Sequence, residues 1–276
     1  MKLTNNQTVT RKPTLHVWDW IKTAFTLVEL LRVSIASLLL PRKCFVQIYP
    51  NSVEKMGFFP GIRKDIRSYG FETSMAQKSL AVDGIRVIML RTMLEHVSKL
   101  PDGDYAELGT YRGISARLIY QNMRDDCNLH CFDTFEGFDR RDLGLESKDV
   151  AERELNESFS DTTLERTKQY ILGDDPDRSR LMLHKGFFPD TFDGQENHVW
   201  RFVQLDADLY MPTLAGLKCF FPKLVPGGVL LLHDSFSFFT GVRRAADEYF
   251  SDHGVVVVPF ADKAGTGIVV KSKLKN

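Results

Sequence analysis

Two apolar runs that each end in charged residues constrain the fold of this chain most strongly. The first run ends at Leu205 and leads into Asp206-Ala207-Asp208. The second run ends in His233-Asp234-Ser235, after a helical pattern and the turn sequence Pro226-Gly227-Gly228. In an open α/β sheet, ligands bind outside the carboxyl ends of the parallel strands. We therefore expect both strand ends to contribute to a single site.

The chain after Gly103 alternates short apolar runs with helical patterns, which is typical of a mostly parallel, Rossmann-like sheet with helices on both faces. The last two runs, 255–259 and 267–271, are separated by too few residues for a helical crossover, so we predict that they pair antiparallel. The predicted strands are 105–108, 129–132, 181–184, 199–205, 229–232, 255–259 and 267–271, and the predicted helices are 76–100, 115–123, 213–224 and 242–250.

The amino-terminal part lacks strand alternation, so we predict a helical and irregular extension over 1–70 and one domain over 71–276. The stretch 24–40 is strongly apolar but contains Glu29 and Arg32. A charge near the centre of a membrane span costs about 2.5–3.5 kcal/mol, which disfavours a span. Two interpretations stay open: an amphipathic helix that packs on the domain or across a homodimer, or peripheral membrane contact through 15–43.

Composition excludes one class of partner. Lysine plus arginine and aspartate plus glutamate both total 36, so bulk positive charge does not favour nucleic acid. Cys127 and Cys131 bracket the run 128–130, which is predicted to be extended, so they lie too far apart to form a disulfide. These features predict a reduced, cytoplasmic protein, with membrane association as the alternative.

The first predicted strand leads into Glu107-Leu108-Gly109-Thr110-Tyr111-Arg112-Gly113-Ile114-Ser115. Glycines at such a junction let a ligand approach the backbone, and the following helix start offers free amide donors. The spacing of Gly109 and Gly113 does not match the Gly-x-Gly-x-x-Gly of nicotinamide sites. Glu107 would repel a pyrophosphate and suits an ammonium or hydroxyl group. The alternative is a turn whose glycine is structural.

Asp133 ends the second predicted strand, where an acidic residue commonly binds ribose hydroxyls. Together with Glu107, Gly109 and Gly113, it describes a site for a nucleoside with a positive or zwitterionic tail, which S-adenosylmethionine fits better than NAD. Asp133 could instead cap the loop over 134–138.

These motifs, in this order, resemble the macrocin O-methyltransferase (TylF/MycF) family of class I S-adenosylmethionine-dependent enzymes, over roughly residues 72–271. The resemblance rests on Glu107-Leu108-Gly109 with Gly113 and Ser115, on 132–138, on 186–191, on 205–210, and on Pro226-Gly227-Gly228 through His233-Asp234.

The resemblance implies transfer of a methyl group from S-adenosylmethionine to a hydroxyl of a sugar or another small-molecule or glycan acceptor, sometimes with Mg²⁺. It implies a seven-stranded sheet with an antiparallel carboxy-terminal hairpin. The cofactor contacts it implies are Glu107, Gly109, Thr110, Tyr111, Gly113, Ser115, Asp133, Thr134, Gly186, Phe187 and Asp206. For Gly186 and Phe187, apolar packing is the alternative.

The catalytic residues implied are Asp206, His233 and Asp234, with Asp206 and Asp234 as the metal ligands if a metal binds. His233 stands where metal-dependent members carry an acid, and Mg²⁺ prefers oxygen ligands. We therefore favour His233 as the general base, because an imidazole suits proton removal at neutral pH. A hydrogen-bonding histidine at a strand end is the structural alternative. Asp208 is expected to point away from Asp206 or to cap a helix.

Three further expectations concern Tyr210, the insertion between the second and third predicted strands, and the rival functions. Tyr210 is expected to pack or to shape the acceptor pocket. The charged insertion over 143–177 is either a lid over the ligand or a solvated loop. The rival functions are a nicotinamide-dependent oxidoreductase on a Rossmann sheet and a non-catalytic, methyltransferase-like scaffold or membrane-surface protein.

Overall fold

The computed structural model describes residues 84–144, 146, 159–175, 177, 179–236, 240–262 and 265–272. The predicted extension, its apolar stretch 24–40 and the domain boundary at residue 70 lie outside the described residues. So does the start of the helix predicted over 76–100. Among the described residues, no helix is long and apolar enough to cross a membrane.

The described strands and helices alternate as predicted in the main, with differences. The helices over 140–143 and 164–172 were not predicted, and only 258–259 of the strand predicted over 255–259 is a strand. The helices are α1 (Gly84–Ser98), α2 (Ile114–Asn122), α3 (Arg140–Leu143), α4 (Leu164–Leu172), α5 (Tyr210–Phe220) and α6 (Thr240–Phe250). The strands are β1 (Asp104–Leu108), β2 (Leu129–Asp133), β3 (Leu181–Lys185), β4 (Trp200–Leu205), β5 (Leu224–Leu232), β6 (Val258–Pro259) and β7 (Gly267–Val270).

The strands form one seven-stranded sheet in the order β3-β2-β1-β4-β5-β7-β6. Strands β1 to β5 pair in parallel, whereas β7 pairs antiparallel with both β5 and β6. The predicted antiparallel ending is therefore confirmed. The order also reverses between β1 and β4, because successive strands run outward from β1 on one side and from β4 on the other.

The central strands are buried on both faces, so alternate residues of one strand serve two different cores. Tyr105 packs with residues of α1 and α2 on one face, whereas its neighbour Ala106 packs with residues of α5 and α6 on the other. All six residues of β4 are buried. Each large apolar side chain buried in this way contributes roughly 1.5–3 kcal/mol. These two cores hold the carboxyl ends of β1, β4 and β5 in fixed positions.

The sequence Pro226-Gly227-Gly228, predicted as a turn, lies within β5 instead. The register between β4 and β5 shifts there, with Trp200 opposite Leu224 and Phe202 opposite Val229. Gly227 has a φ of 86° and donates its amide hydrogen to the carbonyl of Lys271. The segment is thus an irregularity in a continuous strand, and glycine permits its left-handed backbone.

Cys127 and Cys131 are free thiols, as predicted from their spacing. Cys131 lies wholly inside the sheet, and burial raises the pKa of its thiol. Such a thiol is inert, so it serves as a small apolar side chain.

Candidate active site

The site forms where the strand order reverses. Gly109 follows β1 and Asp206 follows β4, and these two strands are neighbours. Gly109 has a φ of 88°, and a Cβ atom added to it would lie 2.2 Å from the carbonyl oxygen of Asp206. Only glycine permits this close approach, which brings the loop after β1 against the end of β4.

The loop after β1 is organised by the carboxylate of Asp133 at the end of β2. Asp133 Oδ2 accepts hydrogen bonds from the backbone N–H groups of Thr110 and Tyr111, both at 2.8 Å. Asp133 Oδ1 accepts a hydrogen bond from the amide of Phe135 at 2.6 Å. The bond to Phe135 is the loop-capping contact considered as an alternative for Asp133. The predicted ribose contact of Asp133 stays a prediction.

Glu107 is a buried carboxyl group at the end of β1. Gln204 Nε2 donates a hydrogen bond to its Oε1 at 3.0 Å. Burial raises the pKa of Glu107 to about 8, although the hydroxyl of Ser115 in α2 works against that rise. The other carboxyl oxygen of Glu107 and the hydroxyl of Thr110 are buried and have no hydrogen-bond partner among the described residues. Buried polar atoms of this kind suit a polar ligand.

The remaining predicted cofactor residues lie on loops beside this one. Gly113, with a φ of 80°, starts α2. Thr134 donates its hydroxyl hydrogen to the carbonyl of Gly137 at 2.5 Å. Gly186 follows β3 and donates its amide hydrogen to the carbonyl of Asp133 at 3.0 Å. The guanidinium of Arg141 lies over the ring of Phe187, 3.5 Å from its centroid. The residues predicted to contact the cofactor thus surround the ends of β1, β2 and β3.

The described part of the insertion over 143–177 packs on this loop region. The hydroxyl of Tyr111 donates a hydrogen bond to Asp161 at 2.6 Å, and Arg112 pairs with the same carboxylate. The rings of Tyr111 and Phe159 meet edge to face with centroids 4.8 Å apart. Glu146 accepts a hydrogen bond from the amide of Tyr210 at 2.6 Å, at the start of α5. The described residues of the insertion thus contact the loop after β1 and the start of α5, and a role as a lid stays a prediction.

Four titratable side chains meet at the ends of β4 and β5. Asp206, Asp208, His233 and Asp234 each offer a ligand atom within 4.8 Å of the others. His233 Nδ1 lies 2.5 Å from Asp206 Oδ1 and 2.7 Å from Asp234 Oδ2. The expectation that Asp208 points away from Asp206 is wrong, because a carboxylate oxygen of Asp208 lies within 4.8 Å of the ligand atoms of the other three. The backbone of Asp208 is left-handed, with a φ of 60°. Leu209, not Asp208, caps α5.

Charges within this cluster fix its protonation. Burial and Arg86 oppose protonation of His233, but Asp206 and Asp234 outweigh them and raise its pKa to about 10. Burial alone would raise the pKa of Asp206, yet His233 and Arg86 hold it well below its usual range. Burial, reinforced by Asp234 and Asp206, raises the pKa of Asp208. The raised pKa favours the imidazolium form of His233, which cannot accept a proton. The role of His233 as general base stays a prediction that these charges disfavour.

Two residues that sequence reasoning missed complete the cluster. Arg86 of α1 donates to Asp206 Oδ2 at 2.9 Å, and Gln204 Nε2 bridges Glu107 Oε1 and Asp206 Oδ2. Arg86 shares the buried face of α1 with Leu90 and Leu94. A charged residue at a core-facing helix position was the available signal, because such residues are buried only with a partner.

The cluster does not fit a resident Mg²⁺ ion. Two ligand atoms of an octahedral Mg²⁺ lie about 2.9 Å apart at its bond length. His233 Nδ1 lies closer than that to both Asp206 and Asp234, between the two carboxylates. Arg86 and His233 already supply two positive charges to Asp206 and Asp234. Arg86 and His233 thus balance the negative charges that a divalent cation would otherwise balance.

An open cleft of about 610 Å³ lies against α6, lined by Ser235, Phe236, Thr240, Arg243, Arg244, Asp247 and Glu248. Ser235 and Phe236 directly follow Asp234 in sequence, although no residue of the cluster itself lines the cleft. The guanidinium of Arg243 lies 4.7 Å from the ring centroid of Phe236 and pairs with Asp247. One apolar ring beside charged hydrogen-bonding groups suits a polar small molecule.

Comparisons with known proteins show the family of this chain. A sequence profile described as macrocin-O-methyltransferase (TylF) matches residues 45–268. The chain belongs to this family. A curated relative, the 8-demethyl-8-(2,3-dimethoxy-alpha-L-rhamnosyl)-tetracenomycin-C 4'-O-methyltransferase of Streptomyces olivaceus, is 29% identical over 177 residues, which are 60% of this chain and 64% of that protein. The match to that relative thus spans a little under two thirds of its length.

Among solved structures, the O-methyltransferase NovP superposes with a TM-score of 0.59 at 20% identity, covering 70% of this chain and 81% of that chain. This likeness concerns the fold, which is the Rossmann-like fold of class I methyltransferases. The predicted family and fold class are therefore confirmed. Membership of the macrocin-O-methyltransferase family also favours methyl transfer over the nicotinamide alternative.

Proposed function

We propose that this chain is an S-adenosylmethionine-dependent O-methyltransferase that acts on a hydroxyl group of a sugar-like small molecule. One observation carries the proposal: the family's motif residues converge where the strand order reverses, with the Glu107 loop on one side and the Asp206, His233 and Asp234 cluster on the other. Ligands of open α/β sheets bind at this position.

S-adenosylmethionine supplies an electrophilic methyl group on a positively charged sulfur, and the loop after β1 suits its other groups. Glu107 presents a buried carboxyl oxygen without a partner among the described residues, which suits an ammonium group. Gly109 lets a ligand lie against the backbone. Asp133 keeps the loop in this shape through Thr110 and Tyr111.

The acceptor hydroxyl must lose its proton as its oxygen attacks the methyl group. Asp206 is a poor proton acceptor because Arg86 and His233 hold its pKa well below the usual range. We assign proton removal to Asp234, which lies 2.7 Å from His233 and directly precedes the cleft-lining Ser235. The His233 imidazolium holds Asp206 and Asp234 in place. A positioned general base contributes roughly 10²–10⁴-fold.

The acceptor is proposed to bind in the cleft lined by Phe236 and Arg243. The name of the Streptomyces olivaceus relative describes methylation of a rhamnosyl group at its 4' hydroxyl. The cleft offers an aromatic face and a guanidinium that suit a sugar ring and its hydroxyl groups.

We propose that this chemistry proceeds without Mg²⁺, because the imidazolium of His233 lies between the carboxylates that would bind the ion. Methyl transfer should then be equal in EDTA and in added Mg²⁺. Loss of methyl transfer in EDTA that added Mg²⁺ restores would contradict this proposal. Asp206 and Asp234 would then again be candidate metal ligands.

The decisive experiment for the function is transfer of a radiolabelled methyl group to a panel of rhamnosylated small molecules. We expect product with at least one sugar hydroxyl, and a loss of roughly 10²–10⁴-fold in kcat for Asp234→Asn with cofactor binding retained. The exposed Asp252→Asn is the matched control. Full activity of Asp234→Asn would exclude Asp234 as the base.

We retain three further proposals: a cytoplasmic location, a homodimer, and membrane contact through 15–43. The residues 15–43 lie outside the described part of the chain. Sedimentation with liposomes, for the full chain and for a chain lacking residues 1–45, tests the membrane contact. Equal sedimentation of both proteins would refute it.

A further inference from the structure

A second cluster of side chains that could bind a metal lies at the amino-terminal ends of the strands, opposite the candidate active site. Asp104 is the first residue of β1, His130 lies near the start of β2, and His198 precedes β4. One ligand atom from each of these residues lies within 4.8 Å of the others. Because Asp104 and Leu108 are separated by four residue steps, the cluster lies about 13 Å along β1 from the candidate active site.

Two of the separations in this cluster are close to those between ligands of a tetrahedral metal ion. His130 Nε2 lies 3.7 Å from Asp104 Oδ2, and His198 Nδ1 lies 3.5 Å from the same oxygen. Two ligands bound to tetrahedral Zn²⁺ at about 2.0–2.1 Å lie about 3.3 Å apart. Asp104 Oδ1 accepts a hydrogen bond from the backbone N–H of Asn128 at 2.9 Å. Asp104 Oδ2 accepts only a long hydrogen bond, 3.5 Å, from the side-chain amide of Asn128, and it is also the oxygen nearest to both histidines.

An independent observation points to a ligand here. His130 is 4% exposed, and its Nε2 is buried without a hydrogen-bond partner among the described residues. Its distance of 3.7 Å to Asp104 is too long for a hydrogen bond. A buried ring nitrogen that faces a carboxylate at this distance has room for a cation between them.

The surroundings of His130 are those of a metal-bound histidine. His130 Nδ1 lies 3.1 Å from His184 Nε2, and the two rings stack with centroids 5.3 Å apart. When Nδ1 of His130 donates to His184, its Nε2 carries the lone pair that a metal needs. The ring also meets Trp200 edge to face, with centroids 5.2 Å apart, which fixes its orientation.

We propose that Asp104, His130 and His198 form a transition-metal site, with Zn²⁺ as the preferred ion. Two imidazoles and a carboxylate suit Zn²⁺, whereas Mg²⁺ and Ca²⁺ prefer all-oxygen sites. Three protein ligands leave a fourth position for water, and the side chain of His198 is 38% exposed, so the site opens to solvent. The site lies between the amino-terminal ends of β1 and β2 and the segment before β4.

Titration of Zn²⁺ into the full chain, followed by competition with a chromophoric chelator, tests this proposal. We expect one tight site that His198→Ala weakens by at least about tenfold, since even residues behind metal ligands contribute that much. His253→Ala is the matched control, because His253 is an exposed histidine outside the cluster. Cobalt substitution provides a second readout, because tetrahedral Co²⁺ gives strong visible absorption that His198→Ala should lose.

The same titration on His233→Asn distinguishes this site from the cluster at the ends of β4 and β5. Zinc binding that survives His233→Asn and is lost in His198→Ala supports the proposal. Binding lost only in His233→Asn, unaffected by His198→Ala, or absent from the wild-type chain overturns it. Binding of S-adenosylhomocysteine by His198→Ala shows whether that variant has kept its fold.

Discussion

Arg86 Nη2 lies 2.9 Å from Asp206 Oδ2 and joins α1 to the end of β4 across 120 positions of sequence. Both side chains are largely buried, with exposed fractions of 10% and 17%. Asp206 also contacts His233, so the ion pair belongs to a chain of alternating charges that continues to Asp234. Helix α1 is therefore part of the candidate active site as well as part of the core.

Replacing Arg86 with methionine should destabilise the protein and impair methyl transfer together. Loss of one partner from a buried ion pair costs up to about 3–5 kcal/mol, and the cost should fall towards the lower end because His233 stays beside Asp206. Urea denaturation measures the change. Arg166→Met, at an exposed position of α4, should change stability little. Equal stability of Arg86→Met and wild type would show that the pair contributes nothing.

Gly109→Ala should abolish binding of S-adenosylhomocysteine, because the added Cβ would lie 2.2 Å from the backbone of Asp206. Gly194→Ala is a matched control with a similar φ, 84° against 88°, and no atom within 4 Å of its added Cβ. Gly194→Ala should cost only the left-handed backbone penalty of roughly 1–2 kcal/mol. Thermal denaturation and calorimetric titration of both variants give the answer. Equal stability and equal cofactor affinity of the two variants would show that the close approach of Gly109 to Asp206 is not required.

Glu107 should make cofactor binding depend on pH. Its pKa is raised to about 8 mainly by burial, so below that pH the carboxyl group must release a proton before it can pair with an ammonium group. Affinity should therefore rise with pH between about 6 and 8, by at most about tenfold per unit, and then level off. Calorimetry in buffers of different ionisation enthalpy counts the released protons. Glu107→Gln should abolish this dependence, and its persistence would implicate another group.

His233 should stay protonated when ordinary histidines have lost their protons. Asp206 and Asp234 raise its pKa to about 10, against burial and Arg86, whereas an unperturbed histidine titrates near 6.5. Histidine side-chain NMR at pH about 8 should show an imidazolium signal that disappears in His233→Asn. The stability that this proton contributes is complete below pH about 6.5 and is lost as pH rises through about 10. A neutral His233 at pH 8 would return it to the role of general base.

The sequence predicted the central strands well because strands that are buried on both faces read as short continuous apolar runs between helical patterns. The antiparallel terminal pair followed from a connection too short for a helix, and the structure has that pair. Pro226-Gly227-Gly228 was mistaken for a turn, since proline and glycine mark turns and strand irregularities alike. Local composition does not separate these two cases.

The site was predicted in part for a related reason. Asp206, His233 and Asp234 were found because each lies at a strand end, and the topology alone brings such ends together. Arg86 and Gln204 were missed because their side chains reach the site from a helix face and from a strand interior. The protonation of His233 depends on distances of 2.5 Å and 2.7 Å that no sequence pattern specifies.

We propose that the ends of β1 to β5 bind S-adenosylmethionine and need no metal to do so. Isothermal titration of S-adenosylhomocysteine into the full chain, first in EDTA and then with added Mg²⁺, tests both parts of this proposal. We predict saturable binding of one molecule per chain with the same affinity in both conditions. Absence of binding in both would contradict the assignment of a methyltransferase site.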